Sequence, residues 1–119
     1  MDGSSAPGLR PEPQYHKAWA NYLSRYVSEY AKLGIQLWGM TIQNEPEFAA
    51  PWEACCYTPD EQRLFLRDYL GPVMQRDHPD LQIMIYDHNK DHVEEWVKTI
   101  FGDPEAGQYA AGTAFHYYS

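Results

Sequence analysis

A chain of 119 residues with 44% hydrophobic and 15% aromatic residues suits one domain with enough apolar surface for a core, which excludes wholesale disorder. Its net charge of −8, with nine Lys and Arg scattered singly, supplies no clustered basic footprint for nucleic acid. No apolar run approaches the ~20 residues of a membrane span, and no Cys/His spacing supports a structural metal site.

Residues 1–12 read as a flexible tail or linker, and residues 13–119 as the folded part. The first ten residues lack the apolar stretch of a signal peptide, so the expectation is a cytosolic protein or an N-terminus lying further upstream. From Pro13, Tyr15, Ala18, Trp19, Tyr22, Leu23, Tyr26, Val27 and Tyr30 recur at three- and four-residue steps. That spacing predicts a helix ending at Gly34, with the aromatic stripe packed into the core. Ile35 to Gln43 is too short and apolar for a helix, and predicts a strand buried on both faces. Pro46 cannot donate a ladder hydrogen bond, so the strand should stop there with Asn44 and Glu45 at its carboxyl end.

After a loop over residues 47–57 comes Thr58-Pro59-Asp60-Glu61, where Thr58 caps, Pro59 takes the first helical position and Glu61 closes a capping box. The helix should reach about Leu70 and be kinked or interrupted by Gly71-Pro72. Leu81 to Tyr86 predicts a second strand, with Asp87, His88 and Asn89 at its end. Asp91 is the expected cap of a helix through Ile100, Asp103-Pro104-Glu105 starts a short turn, and Gly112 to Tyr117 is a third strand. Adjacent Cys55 and Cys56 are expected as free thiols or as partners of a residue outside the chain, since a bridge between neighbours is strained. His16, His78 and His92 are expected at the surface or in structural roles.

Strands alternating with helices at this spacing imply parallel pairing by right-handed crossovers. In such architectures ligands bind at the carboxyl ends of strands, and here all three ends are polar: Asn44 and Glu45, then Asp87, His88 and Asn89, then His116 and Tyr118. Glu45, between a buried strand and a proline, is expected to be partly desolvated and to hold a proton for donation to a glycosidic oxygen. Asn44 beside it offers an amide to a sugar hydroxyl.

From about Tyr15 to Tyr118 the sequence resembles the glucosylceramidases of glycoside hydrolase family 30. The resemblance rests on Trp38-Gly-Met-Thr-Ile-Gln-Asn-Glu-Pro46, Tyr57-Thr-Pro-Asp-Glu-Gln-Arg63, Leu70-Gly-Pro72, Asp103-Pro-Glu-Ala106 and His116-Tyr-Tyr118, in the family's own order. It implies an α/β fold, part of a TIM (β/α)₈ barrel covering about strands four to six. Glu45 falls on the general acid/base position, and Asn44, His116, Tyr118 and Asp87 on substrate-binding positions, Asp87 being the acidic residue at the end of strand five. No metal or cofactor is implied. The partner implied is a glycolipid or other β-glucoside, with access at a membrane surface for a lipid substrate, and the compartment is lysosomal or secreted.

A complete barrel of this class needs about 250 residues. The family's glutamate nucleophile, at the end of strand seven, is therefore expected beyond Ser119, and the chain alone is expected to be inactive and poorly soluble, with open sheet edges. Gln43 stands where some members carry an acid, and Tyr117 where Trp is common. Two rival expectations accompany this one: a non-catalytic product that binds sugar, and a family 30 glycanase acting on xylan or β-1,6-glucan.

Overall fold

The computed structural model describes residues 8–51 and 54–117. Helix α1 spans Pro13–Lys32, with proline in its first turn. It ends in a Schellman arrangement: Gly34 adopts φ 82°, its N–H donates to the Ala31 carbonyl, and the Ile35 N–H donates to the Tyr30 carbonyl. The helix therefore stops where the sequence places its end, but its buried face differs. Ala20, Ser24 and Val27 face inward, while Tyr15, Tyr22 and Tyr26 are exposed.

Of the expected stripe, Val27 is buried and Trp19 and Leu23 pack against the core, while Tyr15, Tyr22 and Tyr26 turn outward. Small residues on the inner face let α1 come close to the helix carrying Asp77 and to His78. Ser24 Oγ donates to Asp77 Oδ2 at 2.7 Å, and His78 Nε2 lies 2.9 Å from the Ser24 carbonyl. Along the same helix Trp19 stacks on Tyr22, and Tyr26 packs tilted beside Tyr30. His78 is thus structural, and His16 stacks on Tyr69.

Strand β1 is only Gly39–Thr41, shorter than the expected Ile35 to Gln43, and Ile35 and Trp38 are exposed. It pairs in parallel with β2 (Gln82–His88), which pairs in parallel with β3 (Gly112–Phe115), giving the order β1-β2-β3. β1 is an edge strand among the described residues.

Between β1 and β2 the capping box forms as expected: Glu61 N–H donates to Thr58 Oγ1 at 3.1 Å and Thr58 N–H to a Glu61 carboxylate oxygen at 2.8 Å. Helix α2 (Pro59–Phe65) passes through a π turn (Leu66–Leu70) into α3 (Gly71–Asp77) without a break. The interruption expected at Gly71-Pro72 is absorbed here. Gly71 N–H reaches back to the Leu66 carbonyl, and the widened turn accommodates the proline, which has no N–H to give. Gly71 also lies against Tyr109, where an added Cβ would sit 2.3 Å from the ring.

After β2 a 3₁₀ turn (Lys90–His92) precedes α4 (Val93–Phe101), so Asp91 lies inside that turn and does not cap the helix. Asp103 does cap the short α5 (Pro104–Gly107), accepting from the Glu105 and Ala106 amides. Its carboxylate also receives Arg63 and Arg67 at 2.8 and 3.2 Å, tying α2 and the π turn to α5. The Arg63 guanidinium holds that carboxyl below its usual range. The core between helices and sheet contains Phe65, Leu66, Leu70, Ile85, Tyr86, Trp96 and Ile100, all fully buried. Cys55 is buried and free, with its thiol pushed up by desolvation, and Cys56 is half-buried.

Gly71→Ala should lower stability by about 1–3 kcal/mol, because the methyl group must displace a packed ring or helix backbone. The measurement is the thermal midpoint of the full-length protein; an unchanged midpoint would contradict this packing.

Candidate active site

The carboxyl ends of the three strands meet at one polar cluster. β1 ends on Thr41, whose hydroxyl donates to Asp87 Oδ2 at 2.6 Å. β3 is followed by His116, whose backbone N–H donates to the His88 carbonyl at 2.7 Å and whose Nε2 lies 3.1 Å from Asp87 Oδ1. With Asp87 ionised, that nitrogen is the donor, which turns the Nδ1 edge outward. Nδ1 sits 3.6 Å from Glu45 Oε1, an ion-pair distance longer than a hydrogen bond. The His88 ring stacks on His116, and the Nδ1 of His88 is buried with no hydrogen-bond partner among the described residues.

The backbone here is unusual in a way that accounts for the geometry. Glu45, Tyr86 and Asp87 have φ of 49°, 74° and 68°, the non-glycine residues with positive φ among those described. Such conformations cost free energy and concentrate where surrounding structure enforces a site. The register of β2 against β3 runs Tyr86 to Ala114 and then His88 to Phe115, so Asp87 is the extra residue of a bulge. A bulge re-aims a side chain, and this one aims the carboxylate of Asp87 at both neighbouring strands. Glu45 N–H donates to the Asp87 carbonyl at 2.9 Å, which carries the turn after β1 over the bulge.

Side-chain exposures of 22% for Glu45, 19% for Asp87 and 17% for His116 put all three groups at the rim of the sheet, neither buried nor freely solvated. Beneath them Pro46 is fully buried, and its carbonyl accepts the Tyr57 amide at 2.8 Å. A carboxyl group so placed beside an imidazole can give a proton to a bound oxygen and take one back.

Of the residues picked out in the sequence, Glu45, Asp87 and His116 therefore come together. Asn44 is exposed beside them, with its backbone carbonyl accepting from the Gln43 side chain. Tyr118 lies outside the described residues. Thr41 was missed, because a threonine in a β-branched and apolar run reads as a strand former. A second feature was also missed: His92 Nδ1 lies 3.0 Å from Glu47 Oε1, joining the loop after Glu45 to the 3₁₀ turn after β2.

Residues 1–119 match the glycosyl hydrolase family 30 TIM-barrel domain. The chain belongs to this family. It is 32% identical over 122 residues to the lysosomal acid glucosylceramidase of Mus musculus, covering 99% of this chain and 24% of that protein. It is 33% identical over 119 residues to an endo-1,6-β-D-glucanase of Aspergillus fumigatus, again covering 99% of this chain and 24% of the other. Among solved structures, an endo-β1,6-glucanase superposes with a TM-score of 0.83 at 31% identity, covering 90% of this chain and 25% of that one. The chain thus spans about a quarter of the length of the relatives it matches. The parallel sheet with intervening helices is a segment of a family 30 barrel domain, and the polar cluster lies on the face where barrels carry their active sites.

The Glu47 carboxylate raises the His92 pKa above its ordinary 6.5. The ion pair accordingly contributes in full below about pH 6.5 and is lost as pH rises through the elevated folded value. Glu47→Gln should bring the imidazole titration, followed by NMR, back down towards 6.5; an unmoved titration would contradict the pairing.

Proposed function

We propose that the complete protein is a retaining β-glycosidase in which Glu45 is the general acid/base, and that its substrate is glucosylceramide. The observation that carries this is the placement of Glu45 at the rim of a family 30 sheet, with its carboxylate beside His116 and its backbone tied to Asp87. In this reading β1, β2 and β3 are strands four, five and six of the barrel, and a glutamate beyond Ser119 attacks the anomeric carbon. Glu45 first protonates the leaving oxygen and then removes a proton from the incoming water. Asn44 and Tyr118 contact sugar hydroxyls, and His116 borders the same space.

The name of the mouse relative, a lysosomal acid glucosylceramidase, supports a glycolipid substrate and a lysosomal or secreted location. A second reading, hydrolysis of β-1,6-glucan, is favoured by the Aspergillus relative and by the superposable endo-β1,6-glucanase. Turnover of glucosylceramide against β-1,6-glucan by the full-length protein separates the two.

The acid role has its own test. In the full-length protein, Glu45→Gln should lower kcat/KM by about 100-fold or more for glucosides with poor leaving groups, the range expected for a lost general acid. Activated aryl glucosides, which need no proton at the departing oxygen, should be far less affected in the glycosylation step. Equal loss on both classes would contradict the assignment.

A further inference from the structure

We infer that Thr41 is a positioning residue for the acid/base glutamate, acting through Asp87 and His116. The inference rests on the assignment of Glu45 as that glutamate. Both oxygens of Asp87 are engaged within the protein, Oδ2 by the Thr41 hydroxyl at 2.6 Å and Oδ1 by His116 Nε2 at 3.1 Å. A carboxylate held at both ends presents one fixed acceptor to the imidazole, and that fixes which nitrogen carries the proton and how the ring is turned. The ring then presents Nδ1 to Glu45 Oε1.

Without the hydroxyl, Asp87 keeps its charge but loses one of the contacts that set its rotation. The carboxylate sits on a bulged, left-handed residue, so its direction depends on such contacts more than on the strand ladder. Thr41 is the last residue of β1 and half-buried, and its hydroxyl is directed to Asp87. Its role is therefore to aim the group that aims the imidazole. The consequence falls on proton donation by Glu45, since the imidazole edge is what that carboxylate faces.

The experiment uses the full-length protein, two aryl β-glucosides with poor and good leaving groups, and the variants Thr41→Val and Thr41→Ser. Valine keeps the shape and removes the hydroxyl; serine restores the hydroxyl without the methyl. Thr41→Val should lower kcat/KM about tenfold on the poor leaving group, the scale of one lost charge-assisted hydrogen bond, and leave the good leaving group within about twofold. Thr41→Ser should recover most of the loss. Equal loss on both substrates, or wild-type values for valine on both, would overturn the inference. Should Thr41→Val not fold, Thr41→Ala, which also removes the hydroxyl, carries the same expectation of selective loss and the same contrary outcomes. Glu45→Gln on the same two substrates separates the failures: if it shows no leaving-group selectivity, the acid/base assignment has failed, whereas selectivity there with none at Thr41 rejects the positioning role alone.

Discussion

Two consecutive left-handed residues at the end of β2 hold the polar face together. Tyr86 and Asp87 leave the regular strand conformation at φ 74° and 68°, and the extra residue this creates faces both neighbouring strands. From that one irregularity come the contact to Thr41, the contact to His116, and the carbonyl that receives the Glu45 amide. Conformations of this kind cost about 1–3 kcal/mol per residue. The opposing contribution lies underneath. Tyr86 is fully buried, packs its ring 5.4 Å from that of Trp96, and bonds its hydroxyl to the Asn89 carbonyl. Burial of a large side chain contributes about 1.5–3 kcal/mol, which offsets the cost at about one of the two residues.

Support from the helices reaches the same point by a separate route. Gln62, fully buried on α2, accepts the Tyr86 amide at 3.1 Å, a donor that the bulge would otherwise leave without its partner. Its own Nε2 is buried with no hydrogen-bond partner among the described residues, so the helix tolerates one unpaired donor to satisfy the strand. The capping box that starts α2 three residues earlier fixes the rotation at which Gln62 enters the core. A local motif at Thr58 thereby acts on the geometry of Asp87. The site is held by backbone and core, and the polar side chains at the rim are placed by that framework.

Much of the framework was legible because local chemistry and global fold agree. Thr58 to Glu61, the stop at Gly34, the turn starting at Asp103 and the parallel pairing of three strands all follow from residue types with a single strong preference. Elsewhere tertiary context prevailed. The aromatic period of α1 was plain, yet its inner face is set by Ala20 and Ser24, which allow the close approach that tyrosines would prevent. Asp91 looked like a cap and lies inside a 3₁₀ turn. At the site, the polar strand ends marked Glu45, Asp87 and His116, but no glycine announced the bulge, because tyrosine and aspartate carry the left-handed conformations themselves. Thr41 was invisible for the complementary reason, its hydroxyl hidden among strand-forming residues.

The central claim is that this face presents Glu45 as one of two carboxyl groups flanking a glycosidic bond. The most direct measurement is a crystal structure of the full-length protein with a non-hydrolysable glucoside bound. The account predicts the Glu45 carboxyl within hydrogen-bond reach of the glycosidic atom and a second carboxylate, from beyond Ser119, about 5–5.5 Å away across the sugar. A Glu45 side chain turned from the sugar, or a nearest carboxylate at about 6.5–9.5 Å as an inverting enzyme requires, would contradict it.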